Sequence, residues 1–316
     1  MSWDLVIVPD LVGASHDFVY DEHPVRIALP SKDKIPTEPL KGDLLVFNGY
    51  REEEGKKTPL EFWVYAVDVT VLIQKEISVP AEIVSRHPNA YEIVPEAKQR
   101  ELNQLTEVYE SVAEKAFDLW VRTLRWKCDN SAIGRPKIRG HESGWSTYLI
   151  SRSTGQGIWI SPSVITVPAS KAVTTDIWKE AELALQNGIT PPVFIELMHD
   201  GIEHMKAGDL KRATVDMAVA CESFLRALVA NSLPNGLAGS ISEYVDDANI
   251  RPVLTKFVPE ILNDEERGRL KKIEKRLHKL FDARNDIVHI GKAAEINSEE
   301  VGKHLEATRT LLRLRM

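Results

Sequence analysis

From Asp4 to about Lys75 the apolar residues come in short runs, Leu5-Val6-Ile7-Val8, Leu44-Leu45-Val46-Phe47 and Phe62 to Ile73, separated by Gly, Pro and Asp. Short runs punctuated in this way predict an antiparallel sheet or a small barrel. The grammar then changes. Between Pro95 and Lys127 the residues Leu102, Leu105, Tyr109, Val112, Ala116 and Leu119 step by three or four with no Gly or Pro inside. That spacing predicts one amphipathic helix, about 50 Å long, bracing the sheet. Residues 131–168 return to strand-like runs such as Tyr148-Leu149-Ile150 and Ile158-Trp159-Ile160, broken at Gly144, Gly155 and Gly157. The first part of the chain therefore reads as α+β, a mixed sheet with a long helix.

A short helix over Thr175 to Gln186 should stop at Asn187-Gly188, and Pro191-Pro192 forbids its continuation. The expected domains are thus 1–190 and 191–316. Beyond the boundary the pattern is helical almost throughout. Phe194, Leu197, Met198, Ile202 and Met205 form one stripe, closed by Gly208. Asp209 can cap the next helix, whose stripe runs through Val215, Ala218, Leu225 and Val229 before Pro234-Asn235-Gly236. A third helix spans about Asp264 to Ile290 with Gly291 placed to end it, and a last one begins at Ser298, whose hydroxyl can cap. Four main helices predict an all-α bundle.

With 316 residues, 43% of them hydrophobic and 28% charged, both halves can bury a core, and disorder, collagen-like repeats and a membrane channel are excluded. A net charge of -7 argues against a protein that coats nucleic acid, because such binding relies on many cations neutralising phosphates. The charge is unevenly spread: residues 191–316 hold 19 Lys and Arg against 20 Asp and Glu, so the acidic excess lies in the first part. Cys128 and Cys221 are far apart and form no C-x-x-C pair, so no disulfide framework or cysteine zinc site is expected. With no basic stretch before Leu5 and no apolar run long enough to cross a bilayer, the reading is a cytoplasmic protein without membrane contact.

Two charges interrupt the apolar stripes. On the third helix the stripe steps Ile273, Leu277, Leu280, then Arg284, then Ile287 and Val288; on the second, Glu222 falls between Ala218 and Leu225. A charge in an apolar seam costs several kcal/mol unless it is paired or kept wet. One explanation is an internal Arg284 to Glu222 ion pair that fixes how the helices dock. The other is chemical. Asn285 and His289, four apart, share a helix face that the long Arg284 side chain can reach. Histidine can move a proton to or from a ribose hydroxyl or a leaving oxygen, and arginine can stabilise charge building on phosphate oxygens. Together they suit phosphodiester cleavage without a metal or cofactor.

The hexapeptide Arg284-Asn285-Asp286-Ile287-Val288-His289 has the form R-N-x-x-x-H and resembles the signature of HEPN domains. It stands late in a bundle helix, after a helix reading Ala220-Cys221-Glu222-Ser223-Phe224-Leu225, so the resemblance covers roughly residues 191–316. It implies an HEPN-like C-terminal bundle and, in active members, a metal-independent endoribonuclease. Two subunits would pair so that both copies of Arg and His face one cleft, often within toxin-antitoxin or antiviral defence systems. Arg284 and His289 would be catalytic and Asn285 would orient them. Glu222, from the stripe alone, and Asp286 enter as supporting residues, although Asp282 and Asp286 also place negative charge beside the motif. RNA, a second copy of the chain, and an antitoxin or other protein are the implied partners. Other HEPN domains are binding or assembly modules, which leaves open a non-catalytic module with recognition by the N-terminal domain.

Residues 267–279 carry seven Lys and Arg against Glu274. Such a run is either the solvated face of its helix or, through Arg269, Lys272, Arg276 and Lys279, an RNA-steering surface ahead of Arg284. A second basic stretch, Arg122 to Arg152, interleaves with Trp126, Trp145 and Tyr148 and reads either as a platform for single-stranded nucleic acid or as core aromatics. His199 and His204, five apart, are expected to be solvated, with no metal set around them. No phosphate-binding glycine loop, dinucleotide turn or nucleophile elbow occurs.

Overall fold

Runs whose side chains alternate between inside and outside need a sheet, and the N-terminal unit arranges its runs that way. The computed structural model describes residues 5–31, 44–53, 56–64, 67–72, 96–134, 148–150, 157–160, 171–232, 249–290 and 296–314. The chain divides into two compact units, Met1–Thr190 and Pro191–Met316. The described strands are β1 (Val6–Ile7), β2 (Ser15–Tyr20), β3 (His23–Ala28), β4 (Leu44–Glu53), β5 (Lys56–Val64), β6 (Asp68–Val71), β7 (Tyr148–Ile150) and β8 (Gly157–Ile160). They form sheets in the orders β1-β5-β4, β2-β3-β6 and β7-β8. All these pairs are antiparallel, and the one parallel contact described is an isolated bridge from Ile7 to Val173. Where a mixed sheet is expected, the described strands therefore make separate antiparallel sheets. The cause is local: β2 and β3 are joined by two residues only, Asp21 and Glu22, both at positive φ, and so tight a turn permits no other pairing.

Helix α1 (Glu96–Cys128) and helix α2 (Thr175–Gln186) complete the unit, which is α+β. On α1 the buried residues step by four, Val112, Ala116, Trp120, Leu124 and Cys128, so the seam follows Trp120 where the sequence pattern favours Leu119. From Ala116 onward these side chains share one core with Leu5, Ile7, Phe18, Val25, Ile27, Phe62 and Val64 from the strands and with Trp178 and Ala181 from α2. At the end of α1, Gly134 at φ 69° has no room for a Cβ, which would collide with Val121. Thr174 caps α2 by accepting from the Ile177 amide. Gly144, Gly155 and Ile73 lie outside the described residues.

One polar side chain ties these layers together. His16, on the inward face of β2 and wholly buried, stacks on Trp178 with ring centroids 3.8 Å apart. Its Nδ1 accepts from the Trp120 indole N–H at 2.9 Å, and its Nε2 donates to the Trp178 carbonyl at 3.2 Å. Only the neutral imidazole can do both. Burial pushes the pKa of His16 down from 6.5 to about 4, with the Trp178 carbonyl and Asp17 acting weakly the other way.

The described residues of the second unit are helices and their connections. They form α3 (Val193–Lys206), α4 (Leu210–Ser232), α5 (Ile250–Pro252, continued by the π-helical turn Val253–Phe257 and by Val258–Ile261), α6 (Asp264–Asn285, continued by the π-helical turn Asp286–Ile290) and α7 (Ser298–Leu312). The pattern of apolar spacing misses α5, which holds Pro252 and Pro259 and is too short to show a period. α4 lies at the centre, burying Met217, Ala218, Cys221, Phe224, Leu225 and Leu228. α3 comes close to it because Gly201 has no side chain: a Cβ there would stand 3.1 Å from Met217 Cγ. α7 meets it where the Cys221 thiol donates to Thr308 Oγ1 at 3.4 Å. Asp209 accepts from the Arg212 amide ahead of α4, as its sequence position predicts. The cap of α7 is Asn297 instead of Ser298: Asn297 holds the extended geometry of an N-cap and accepts from the Glu300 amide at 2.9 Å. Gly291 and the Pro234-Asn235-Gly236 turn lie outside the described residues. No helix among the described residues is long and apolar enough to cross a membrane.

Because the fold holds His16 neutral, the unfolded chain takes up its proton first as pH falls. Stability from this group is complete above the unfolded pKa near 6.5 and drains away as pH drops towards 4, a loss of about 3 kcal/mol. Urea unfolding followed by tryptophan fluorescence between pH 7.5 and 4 should show this decline, and His16→Leu should be less stable at pH 7.5 and flatter across the window.

Candidate functional site

The site is set by how α6 begins and how it is buried. Asn263 and Glu266 form a reciprocal capping box at its start, with bonds of 2.9 Å in both directions. From there Leu270, Ile273, Leu277, Leu280 and Phe281 face inward. Continuing that step from Leu277 by seven residues brings Arg284 to the same face. Its side chain is half-buried, and its Nε is sealed from water with no hydrogen-bond partner among the described residues. Nη1 donates to Asn285 Oδ1 at 2.9 Å. Asn285 and Asp286 are exposed.

Glu222 takes no part in this cluster. No ion pair joins it to Arg284 among the described residues, and it stands half-buried at the edge of the α4 seam. The seam position is its neighbour Cys221, which is fully buried and whose thiol pKa burial pushes up to about 12. Counting from Val215, itself only half-buried, puts the sequence stripe one residue off. The internal ion-pair explanation for both charges is therefore not what the described contacts contain.

Beyond Asn285 the helix changes register. In an α-helix, positions five apart point about 140° from each other, whereas a π-helical turn, bonded i to i+5, sets them one above the other. The turn Asp286–Ile290 places position 289 within this wider winding, beyond the α-helical end at Asn285. Val288, expected in the buried stripe, lies in this turn and is 52% exposed. The His289 side chain lies outside the described residues. The negative charge beside the motif is partly answered, since the Asp282 carboxylate is paired with the Arg251 guanidinium from α5.

The basic residues of α6 occupy a different face. Lys272, Arg276 and Lys279, with Lys275, line a cleft of about 500 Å³ against Asn297, Glu299, Glu300, Lys303 and His304 of α7 and its cap. Arg284 is not in its lining. Arg269 lines a second cleft, of about 360 Å³, with Arg309 and Arg313 among its walls. Arg276 is held by Glu306 at 2.7 Å and Arg269 by Glu265 at 3.7 Å. Sequence reading passes over His304 altogether. Its place on the inner face of α7 buries it to 3% exposure, and its only sequence signal is a titratable residue at a helical step from Val301 and Thr308.

The remaining candidates are structural. His199, expected in solvent, is 1% exposed, because the buried face of α3 runs through Ile195, Met198, His199 and Ile202. His204 lies 3.5 Å from Asp216. In the stretch from Arg122, the described cations are used within the unit: Arg122 pairs with Asp118 at 2.9 Å, Arg125 donates to the Ile133 carbonyl, and Lys127 sits over the Trp126 ring. Trp145 and residues 135–147 lie outside the described residues. No group of three or more metal-ligating side chains occurs among those that are described.

No family model, no curated protein and no solved structure matches the chain.

A sealed guanidinium Nε without a partner costs stability that an apolar side chain of similar length would not. Arg284→Met should therefore raise the stability of the second unit by about 1 kcal/mol, read as a higher urea midpoint at unchanged slope. A fall of similar size would mean that the guanidinium is fully satisfied in solution.

Proposed function

We propose that the second unit is an HEPN-like RNA-cleaving module, with Arg284, Asn285 and His289 as its working residues and no metal or cofactor. The observation that carries this reading is the combination at the end of α6: a half-buried arginine with an unpartnered Nε, followed at once by a π-helical turn that holds position 289. Both features cost stability, and turns of this kind recur at functional sites. In the reaction His289 takes the proton from a ribose 2′-hydroxyl, whose oxygen attacks the adjacent phosphorus. The P–O5′ bond breaks, the 5′-oxygen is protonated, and a 2′,3′-cyclic phosphate is left behind. Arg284 neutralises the charge that gathers on the phosphoryl oxygens, and Asn285 holds its guanidinium by the 2.9 Å bond to Nη1. Val288, exposed beside the motif, is the apolar residue that a second copy of the chain would cover in a paired cleft. A toxin-antitoxin or antiviral setting, with an antitoxin or other protein as partner and the N-terminal unit as the recognising part, belongs to the same proposal.

A non-catalytic binding module is the competing reading, and what favours it is Asp286, exposed next to the arginine where it opposes phosphate. Labelled single-stranded RNA incubated in EDTA with the wild type, Arg284→Ala and His289→Ala separates the two. Cleavage to cyclic-phosphate ends, reduced at least about 100-fold in both folded variants, is the expected result. A folded wild type that leaves a panel of RNA sequences intact assigns the unit to binding.

A further inference from the structure

The cleft between α6 and α7 is a second surface that the cleavage reading does not use. Five cations, Lys272, Lys275, Arg276, Lys279 and Lys303, line it against two carboxylates, Glu299 and Glu300. Two of the five are occupied, Arg276 by Glu306 at 2.7 Å and Lys303 by Glu299 at 2.6 Å. Lys272, Lys275 and Lys279 have no ion pair among the described residues, although they stand three, four and seven apart on one helix, where like charges repel.

The floor of the cleft carries an independent signal. His304 is 3% exposed, it lines the cleft, and neither Nδ1 nor Nε2 has a hydrogen-bond partner in the folded chain among the described residues. Buried nitrogens are almost always satisfied, so a ring with both of them idle points to a partner that arrives from outside. Burial lowers the pKa of His304, with Lys279 acting in the same direction and Glu300 against it, so the ring is a neutral group with one donor and one acceptor. The N-terminus of α7, a helix of 15 residues, adds its positive end through Asn297.

We propose that this cleft binds a small oligophosphate, a ligand bearing two or more linked phosphate groups, with Lys272, Lys275 and Lys279 on its oxygens and His304, whose ring nitrogens are closed to solvent in this structure, turning to donate from the floor. Size and boundary both favour a small ligand over a strand of RNA. A volume of about 500 Å³ lies in the range of small-molecule pockets, and the three open lysines span only about 10 Å of α6. At the α7 rim the cationic surface meets Glu299 and Glu300, and beside Arg276 it meets Glu306, which stands between it and the second cleft that Arg269, Arg309 and Arg313 line, so carboxylates interrupt the basic surface among the described residues. The proposal is independent of the RNA-cleavage reading and survives its failure.

Calorimetric titration of the full chain with sodium tripolyphosphate, in 150 mM salt, tests it. Expected are saturable binding at one site per chain, at least about tenfold weaker binding for the double variant Lys272→Ala/Lys279→Ala, and no change for Lys211→Ala, an exposed lysine on α4. His304→Leu should also weaken binding and His304→Gln, which keeps a donor, should restore part of it; circular dichroism shows that each is folded. Three results overturn the proposal: no saturation by tripolyphosphate, equal weakening by Lys211→Ala, or a single-stranded RNA dodecamer binding more tightly than tripolyphosphate through the same two lysines.

Discussion

Leu270, Ile273, Leu277, Leu280 and Phe281 have to leave water together, and a straight helix has one rotation about its axis that buries all five. That rotation decides the chemistry of the second unit. It drives Arg284, one heptad on from Leu277, into the edge of the core, where Nε is sealed. It also swings Lys272, Lys275 and Lys279 away from that edge and over α7, where they form one wall of a cleft. A pairing that looks natural along the sequence, basic cluster leading to the proposed catalytic arginine, is divided by roughly 140° of helix. Along α6 the two surfaces are therefore separate.

The chain buries nitrogen in two contrasting ways. In the N-terminal unit His16 is completely enclosed and completely satisfied: one nitrogen accepts from Trp120, the other donates to the Trp178 carbonyl, and the ring lies flat on Trp178. Such a group orders a core, since the indole N–H and the imidazole each need the other, and fixes how β2, α1 and α2 come together. In the second unit Arg284 Nε and both nitrogens of His304 are enclosed and unsatisfied. A fold tolerates that expense where something else depends on the group. In the second unit these idle nitrogens lie at the two surfaces proposed above to meet a ligand.

The two cysteines illustrate the same logic from the inert side. Cys221 sits at the centre of the α4 seam with its thiol pKa pushed up to about 12 by burial, and Cys128 closes the α1 seam with its own pKa raised for the same cause. Neither offers a thiolate, and both act as small apolar side chains that let helices approach.

Helix bounds are legible in the chain because their signals are local: Thr175 to Gln186, Asp264 to Ile290 and the start at Ser298 follow from periodicity and from Asn, Gly and Pro at the ends. So is Arg284 as a break in a stripe, since a heptad step along one helix needs no knowledge of its neighbours. Glu222 misleads for a related reason: Ala218 and Leu225 bracket it at plausible spacing, and only contact with α7 reveals that Cys221 and Thr308 hold the seam. Strand pairing, the His16 relay and the buried place of His199 depend on partners up to 162 residues away, which no local pattern encodes. The π-helical turn at Asp286–Ile290 and the idle ring of His304 belong to the same class. Periodicity tells which side chains must avoid water, and hence where helices run. Which nitrogens then find a partner is settled by the packing of several elements at once.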